Sequence, residues 1–142
     1  KNLYFKDLLK DLQYVDGYLD FMKFGKEQKY KTGLVTSSSL FTVNKVDELL
    51  NHTHSFDIII TEEDTQKHKP FPDPYILGLV SLDADKSTTL VIEDSINGII
   101  SGKAAGCIVA GITTSFEAKT LMDAGADFVV NSFNEIIYYI DL

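Results

Sequence analysis

Cysteine is nearly absent from this sequence of 142 residues, and tryptophan is absent altogether. The single cysteine, Cys107, cannot form a disulfide framework within the chain, so we expect a protein of a reducing compartment, the cytoplasm. Basic residues are also few. The sequence has 13 lysines and arginines and 21 acidic residues, which gives a formal net charge of -8. Nucleic acids and anionic membranes attract positively charged surfaces, so we expect neither as a partner.

Long apolar runs are missing as well. None approaches the roughly 18 residues of a membrane-spanning helix, and no charged-then-apolar signal peptide opens the sequence. What is present is an ordinary globular composition, 44% hydrophobic and 24% charged, in a chain long enough to bury one core. Because the sequence contains no internal repeat and no linker, we interpret residues 1–142 as one domain.

Hydrophobic periodicity predicts strands and helices that alternate after a helical start. The predicted strands are 32–36, 56–60, 89–92, 108–111 and 127–130. The predicted helices are 3–14, 18–24, 41–50, 96–105, 116–124 and 133–140. A further helix is predicted to start with Asp73 as its N-cap and Pro74 as its first helical residue. This order is typical of an α/β fold in which helices cover a mostly parallel sheet.

Polar side chains follow three of the predicted strands. The first strand ends at Thr36 and Ser37, the second leads through an acidic loop to Lys69, and the third ends at Glu93 and Asp94. In sheets of this kind, ligands bind beyond the carboxyl ends of the strands. We therefore expect Thr36, Lys69, Glu93 and Asp94 to lie in one cleft.

Each of these groups has a chemical interpretation and a plain structural one. Glu93 and Asp94 offer hard oxygen ligands to Mg²⁺, or they only begin the next helix. The hydroxyl and N–H groups near Thr36 suit an anion at a helix N-terminus, or they cap the helix without a ligand. Lys69 can reach a phosphate from a loop stiffened by proline, or it can lie in solvent.

Three glycines, Gly98, Gly102 and Gly106, follow the acidic pair within or just after a predicted helix. Each glycine costs about 1 kcal/mol relative to alanine inside a helix. We therefore expect a packing reason for them, such as a helix that lies close to the sheet and the site.

Three segments, "GLVTSSS", "KPFPDPY" and "VIEDSINGIISGKAAG", resemble the second, third and fourth motifs of the haloacid dehalogenase superfamily. Its sugar-phosphate phosphatases and β-phosphoglucomutase-like members are the most similar. The resemblance implies a three-layer, Rossmann-like core. It also implies a Mg²⁺-dependent phosphomonoester phosphatase that acts on a small phosphorylated metabolite, a sugar or polyol phosphate. The implied site residues are Thr36 and Lys69 for catalysis, Thr36, Ser37 and Lys69 for phosphate binding, Glu93 and Asp94 for the metal, and Ser95 as support for the loop.

The first motif of that family, a strand ending in Asp-x-Asp-Gly-Thr, has no match in this sequence. The segment "YVDGYLD" (14–20) contains an Asp-Gly pair, but Tyr14 stands at the nucleophile position and Tyr18 replaces the threonine. The resemblance implies that the missing strand carries an aspartate nucleophile and lies at the centre of the sheet. We expect a core that is incomplete at its N-terminus, with residues 1–14 at most the tail of a cap helix. An N-terminal segment or self-association would complete the sheet, and this chain alone would be inactive.

Two other functions stay open on the sequence. One is a β-phosphoglucomutase-like phosphotransferase, and the other is a non-catalytic module that binds phosphate or metal. An Asp-x-Asp-Gly-Thr strand encoded upstream would favour an enzyme over a binding module.

Overall fold

A computed structural model of the chain describes residues 15–140, so the predicted helix at 3–14 lies outside the described residues. Within that range the strands are β1 (Gly33–Val35), β2 (Ile58–Ile60), β3 (Leu90–Glu93), β4 (Ile108–Ile112) and β5 (Phe128–Val130). The helices are α1 (Tyr18–Glu27), α2 (Leu40–Leu50), α3 (Asp73–Leu82), α4 (Ile96–Ala104), α5 (Ala118–Asp123) and α6 (Phe133–Ile140). Short 3-10 turns lie at Thr53–Ser55, Glu62–Asp64 and Lys86–Thr88.

The strands form two parallel sheets rather than one. In the first, β1 pairs with β2, and Val35 lies opposite Ile60. In the second, β4 lies between β3 and β5, and Glu93 lies opposite Gly111. No hydrogen-bonded strand joins β1 to β3 among residues 15–140. The predicted α/β fold with parallel strands and covering helices is confirmed.

Helices cover both faces of the three-stranded sheet. Val129 and Val130 are neighbours in β5 and therefore point to opposite faces. Val129 packs against a core with residues of α4 and α5, including Ile99 and Leu121. Val130 belongs to a second core that includes Ile136 of α6, with Phe21 of α1 packed against it. The result is a helix–sheet–helix arrangement in three layers.

Helix α3 connects the two sheets into one body. It contacts β1, β2 and also α4. Val35 at the end of β1 packs against the core that contains Val91 of β3. The helix layer is therefore continuous where the strand ladder is interrupted.

The predicted elements within residues 15–140 are all present, with shifts of their ends. One local prediction is wrong: Asp73 is not the N-cap of α3 but its first residue, and Pro72 occupies the cap position with a φ of -75°. Proline fixes φ near the helical value, so the helix begins one residue early, and the charge of Asp73 falls in the first turn. None of the helices in the described part of the chain has the length and apolar character needed to cross a membrane.

Candidate active site

A hydroxyl-rich loop connects β1 to α2. The Thr36 N–H donates to the Ile60 carbonyl at 3.0 Å, so the ladder between β1 and β2 continues to the loop. The Thr36 hydroxyl oxygen accepts the Ser38 N–H at 3.0 Å. Ser39 is the N-cap of α2 and accepts the Thr42 N–H at 3.2 Å. None of the described residues accepts the Thr36 hydroxyl proton, so this proton can be donated to an anion in front of α2.

Lys69 links the ends of β1 and β3. Its Nζ donates to the Val35 carbonyl at 2.9 Å and to Glu93 Oε1 at 2.5 Å. The Lys69 side chain is 9% exposed and that of Glu93 is 8% exposed, so the ion pair is buried. The pair thus spans the place where no strand joins the two sheets.

The carboxylate of Glu93 is enclosed by further donors. The Tyr75 hydroxyl donates to Oε1 at 2.5 Å, and the Ser95 hydroxyl donates to Oε2 at 3.3 Å. Ser95 is also the N-cap of α4, where its oxygen accepts the Gly98 N–H at 2.9 Å. Burial, and then the charge of Glu93, raises the pKa of Tyr75 well above its ordinary value. Tyr75 therefore stays protonated and acts as a donor.

Asp94 has a different set of partners from Glu93. Its Oδ2 accepts from the Ser115 hydroxyl at 2.9 Å and from the Thr114 hydroxyl at 3.3 Å. Both hydroxyls belong to the loop that follows β4. Asp94 itself is half-buried, at the end of β3. The Asp94 side chain is therefore held by two hydrogen bonds, and part of its surface remains accessible to solvent.

The donor chemistry fits Mg²⁺ at Asp94 better than at Glu93. No described residue donates to Asp94 Oδ1, whereas Glu93 already holds Lys69 and Tyr75. Residues 15–140 contain no group of three or more His, Cys, Asp or Glu side chains that could hold a metal ion. Mg²⁺ prefers six oxygen ligands in an octahedron. The described residues therefore supply only part of such a set.

The structure brings several of the predicted site residues together at the carboxyl ends of β1 and β3. Lys69 contacts Glu93 directly, and Thr36 follows the residue whose carbonyl Lys69 binds. Ser37 is exposed in the same loop. Their roles in phosphate and metal binding stay predictions.

Three residues of the network were not found from the sequence. Thr114 and Ser115 follow β4 at the same edge of the sheet, so the rule that located Glu93 and Asp94 could have found them. Tyr75 gives only a weak signal, because an aromatic residue in the first turn of a helix is usually a core residue.

A cavity of about 300 Å³ lies between α2 and β2, next to the N-terminus of α2. Its lining includes Val43, Asn44, Ile59 and Glu63, and none of the predicted site residues lines it. The candidate site is therefore the buried network around Lys69 rather than this cavity.

A known protein family matches most of the chain. A model of the family described as haloacid dehalogenase-like hydrolase matches residues 2–112. This range covers more than half of the sequence and includes the motifs of all the predicted site residues. The chain belongs to the haloacid dehalogenase-like hydrolases.

Curated relatives carry names of phosphate-cleaving enzymes. The chain is 34% identical over 115 residues to glycerol-1-phosphate phosphohydrolase 1 of Saccharomyces cerevisiae, covering 76% of this chain and 46% of that protein. It is 30% identical over 120 residues to the pyrophosphatase PpaX of Bacillus pumilus, covering 84% of this chain and 56% of that protein. The chain thus spans about half the length of the curated relatives it matches.

Solved structures agree on the fold. The crystal structure of CbbY from Rhodobacter sphaeroides in complex with phosphate is 28% identical, with a TM-score of 0.82, and the match covers 97% of this chain and 64% of that one. A hydrolase from Pseudomonas syringae has a TM-score of 0.88 at 20% identity, covering 96% of this chain and 63% of that one. At that identity the second likeness concerns the fold alone.

Proposed function

We propose that this chain supplies the phosphate-binding and metal-binding residues of a Mg²⁺-dependent phosphomonoester phosphatase. The observation that carries the proposal is the buried pair of Lys69 and Glu93 at the carboxyl ends of β1 and β3. A buried cation at this edge, beside the hydroxyl-rich loop that precedes α2, suits a small anionic ligand. The name of the yeast relative supports a polyol phosphate as the substrate, and a sugar phosphate is the alternative.

Different residues of the chain would make different contributions to phosphate binding. Lys69 contributes a positive charge, and Thr36 and Ser37 contribute hydroxyl donors at the start of α2. Asp94 would hold Mg²⁺, which neutralises charge on the transferring phosphoryl group. Ser95 keeps the start of α4 in place beside Glu93. These groups bind and neutralise, but none of them is a carboxylate placed for nucleophilic attack.

The nucleophile is proposed to come from a segment outside this chain. An aspartate on that segment would attack phosphorus and break the phosphate ester, so that the alcohol leaves with a proton; water would then hydrolyse the aspartyl-phosphate, which releases phosphate and regenerates the aspartate. The interruption between β1 and β3 supports a strand as the carrier, because a parallel strand there could pair with both sheets. Such a strand would end next to Lys69. A second copy of the chain could fill the same interruption by self-association.

The experiment uses the natural polypeptide that contains this chain. Turnover of p-nitrophenyl phosphate and of a panel of sugar and polyol phosphates would be measured with Mg²⁺ and with a chelator. We expect hydrolysis that requires Mg²⁺ and that falls at least a hundredfold in Lys69→Ala and Asp94→Asn, as expected when electrostatic stabilisation of a transition state is removed. The control is Lys119→Ala, because the Lys119 side chain is 84% exposed and lies outside the site.

The 142-residue chain by itself is expected to show no enzymatic turnover. Robust hydrolysis by this chain, or turnover that survives Lys69→Ala, would contradict the proposal. Transfer of phosphate between two positions of a sugar, in place of release, would identify the phosphotransferase. The reducing cytoplasmic location expected from the single buried cysteine, Cys107, is part of the same proposal.

A further inference from the structure

We propose that Tyr75 is a positioning residue of the site, which holds Glu93 so that Lys69 remains free to bind phosphate. The inference rests on the proposed function and adds a residue to it. Three separate contacts support it. The Tyr75 hydroxyl hydrogen-bonds to Glu93, the Tyr75 ring lies beside Lys69, and the loop before its helix is hydrogen-bonded to α4.

Tyr75 contacts both charged members of the buried pair. Its hydroxyl donates to Glu93 Oε1 at 2.5 Å, and the Lys69 Nζ lies 5.1 Å from the centre of its ring. At that separation the face of an aromatic ring attracts a cation. Tyr75 is itself 9% exposed, so these contacts are sheltered from water. The Tyr75 side chain therefore holds Glu93 through its hydroxyl group and Lys69 through its ring.

The hydrogen-bond inventory of Lys69 leaves one donor for a ligand. An ammonium group has three N–H donors. Two of them are used, on the Val35 carbonyl and on Glu93 Oε1. The third is available to a phosphate oxygen, provided that the carboxylate does not turn further towards the ammonium group. Because Oε1 also accepts from Tyr75, its negative charge is divided between two donors.

The helix that carries Tyr75 is fixed to the rest of the site. Tyr75 lies in the first turn of α3, directly after the loop that contains Lys69. The Ser101 hydroxyl of α4 donates to the Phe71 carbonyl in that loop at 2.6 Å, and Ser101 is fully buried. Tyr75, Lys69 and Glu93 are thus held by elements that are bonded to one another, as a precise site requires.

The test is Tyr75→Phe in the natural polypeptide that contains this chain, with inorganic phosphate as the probe. The ring is kept and only the hydroxyl is removed, so Glu93 Oε1 would no longer share its charge with a second donor and would compete with phosphate for Lys69 more strongly. We expect the Kd for phosphate, measured by calorimetry, and the KM for substrate to rise about tenfold, the size of one hydrogen bond to a charged group. We expect kcat to change by less than about threefold, because the remaining groups still act in the transition state. The control is Tyr138→Phe, since Tyr138 is 82% exposed.

A merely structural role would lower the melting temperature and leave the phosphate Kd unchanged, and this result would overturn the inference. A tighter phosphate Kd would also overturn it. If Tyr75→Phe does not fold, Tyr75→Gln and Tyr75→Met form a second comparison, because the two side chains are similar in length and only Gln has a donor. Gln is then expected to retain tighter phosphate binding than Met, and equal binding would refute the inference. Turnover independent of Lys69 and Asp94 would instead refute the proposed function.

Discussion

Gly98 lies against the carboxylate of Glu93 so closely that a methyl group at Gly98 would overlap the carboxylate atoms. The carboxylate cannot simply move aside, because Lys69, Tyr75 and Ser95 hold it in a buried position. Glycine is therefore required at this point of α4 for the site to keep its geometry.

Replacing Gly98 with alanine should disturb both folding and ligand binding. Overpacking of a buried site costs about 1–3 kcal/mol, and the gain in helix propensity offsets about 1 kcal/mol of that cost. We expect Gly98→Ala to lower the free energy of unfolding by about 1 kcal/mol and to weaken phosphate binding strongly. Urea denaturation and calorimetry would measure the two effects.

Gly25→Ala is the matched control, because Gly25 is a buried glycine in α1 whose added methyl group would lie 3.9 Å from the Tyr30 ring. That is an ordinary contact, so we expect unchanged or slightly increased stability and unchanged ligand binding. Equal behaviour of the two variants would show that the packing at Glu93 is not tight.

The glycines illustrate how much of the site could be predicted from the sequence. Because glycine is costly inside a helix, the glycines of α4 predicted that this helix lies close to the sheet, and the structure confirms this prediction. A methyl group at Gly102 would lie 2.9 Å from a methyl group of Val109 and 3.1 Å from one of Val91. Gly106 follows α4 with a φ of +90°, a conformation that other residues rarely adopt.

Other features could not be predicted, because they depend on contacts between distant segments. Periodicity predicted the strands and helices within residues 15–140, but it contains no information on which strands pair, so a gap between β1 and β3 was expected only from the family resemblance, which implied a missing central strand. The acids Glu93 and Asp94 are neighbours in sequence and have similar chemistry. Only the fold shows that Glu93 contacts Lys69 whereas Asp94 contacts Ser115.

Removing Lys69 should destabilise the chain even without a ligand. The variant Lys69→Met would leave Glu93 buried with neutral donors only, and breaking a buried ion pair by removing one partner costs about 3 kcal/mol or more. We expect that loss in the free energy of unfolding at neutral pH. The exposed pair of Lys119 and Asp123 gives the comparison, because Lys119→Met should change stability by less than about 0.5 kcal/mol.

A second substitution separates the lost charge partner from lost packing. In Lys69→Met with Glu93→Gln, the buried charge is removed together with its partner, so we expect more than half of the lost stability to return. A double variant as unstable as Lys69→Met would mean that packing of the lysine stem, and not the ion pair, stabilises this region.

Asp127 should make a pH-dependent contribution to stability at the amino ends of β4 and β5, away from the candidate site. Its carboxylate accepts the Val109 N–H at 2.8 Å and pairs with Lys103 at 3.0 Å. The Val109 N–H, and then Lys103, lowers the pKa of Asp127 below its ordinary value of 3.8, although partial burial opposes the shift. A lowered pKa in the folded state means that this contribution is complete above the unfolded pKa and is lost as the pH falls through the folded one.

The variant Asp127→Asn should therefore be less stable than the unmodified chain only at pH values at which Asp127 of that chain is ionised. We expect a deficit of about 1 kcal/mol at pH 7, a low value for a charged hydrogen bond because the side chain is partly exposed. The deficit should shrink below about pH 4 and vanish once Asp127 is protonated. Asp123→Asn serves as the control. A deficit that stays constant down to pH 2 would refute the electrostatic explanation, and phosphate binding should not change in either variant.

Magnesium binding tests the division of roles between the two acids. The 142-residue chain offers Asp94 with one oxygen that no described residue occupies, and Glu93 with both oxygens engaged. One free carboxylate with water is a poor site for an ion that prefers octahedral geometry, so calorimetry with the chain should detect only weak binding of Mg²⁺. That weak binding should disappear in Asp94→Asn and persist in Asp123→Asn, whose acid lies in α5. Tight, stoichiometric binding that survives Asp94→Asn would place the metal elsewhere in the molecule, and the assignment of Asp94 would then be wrong.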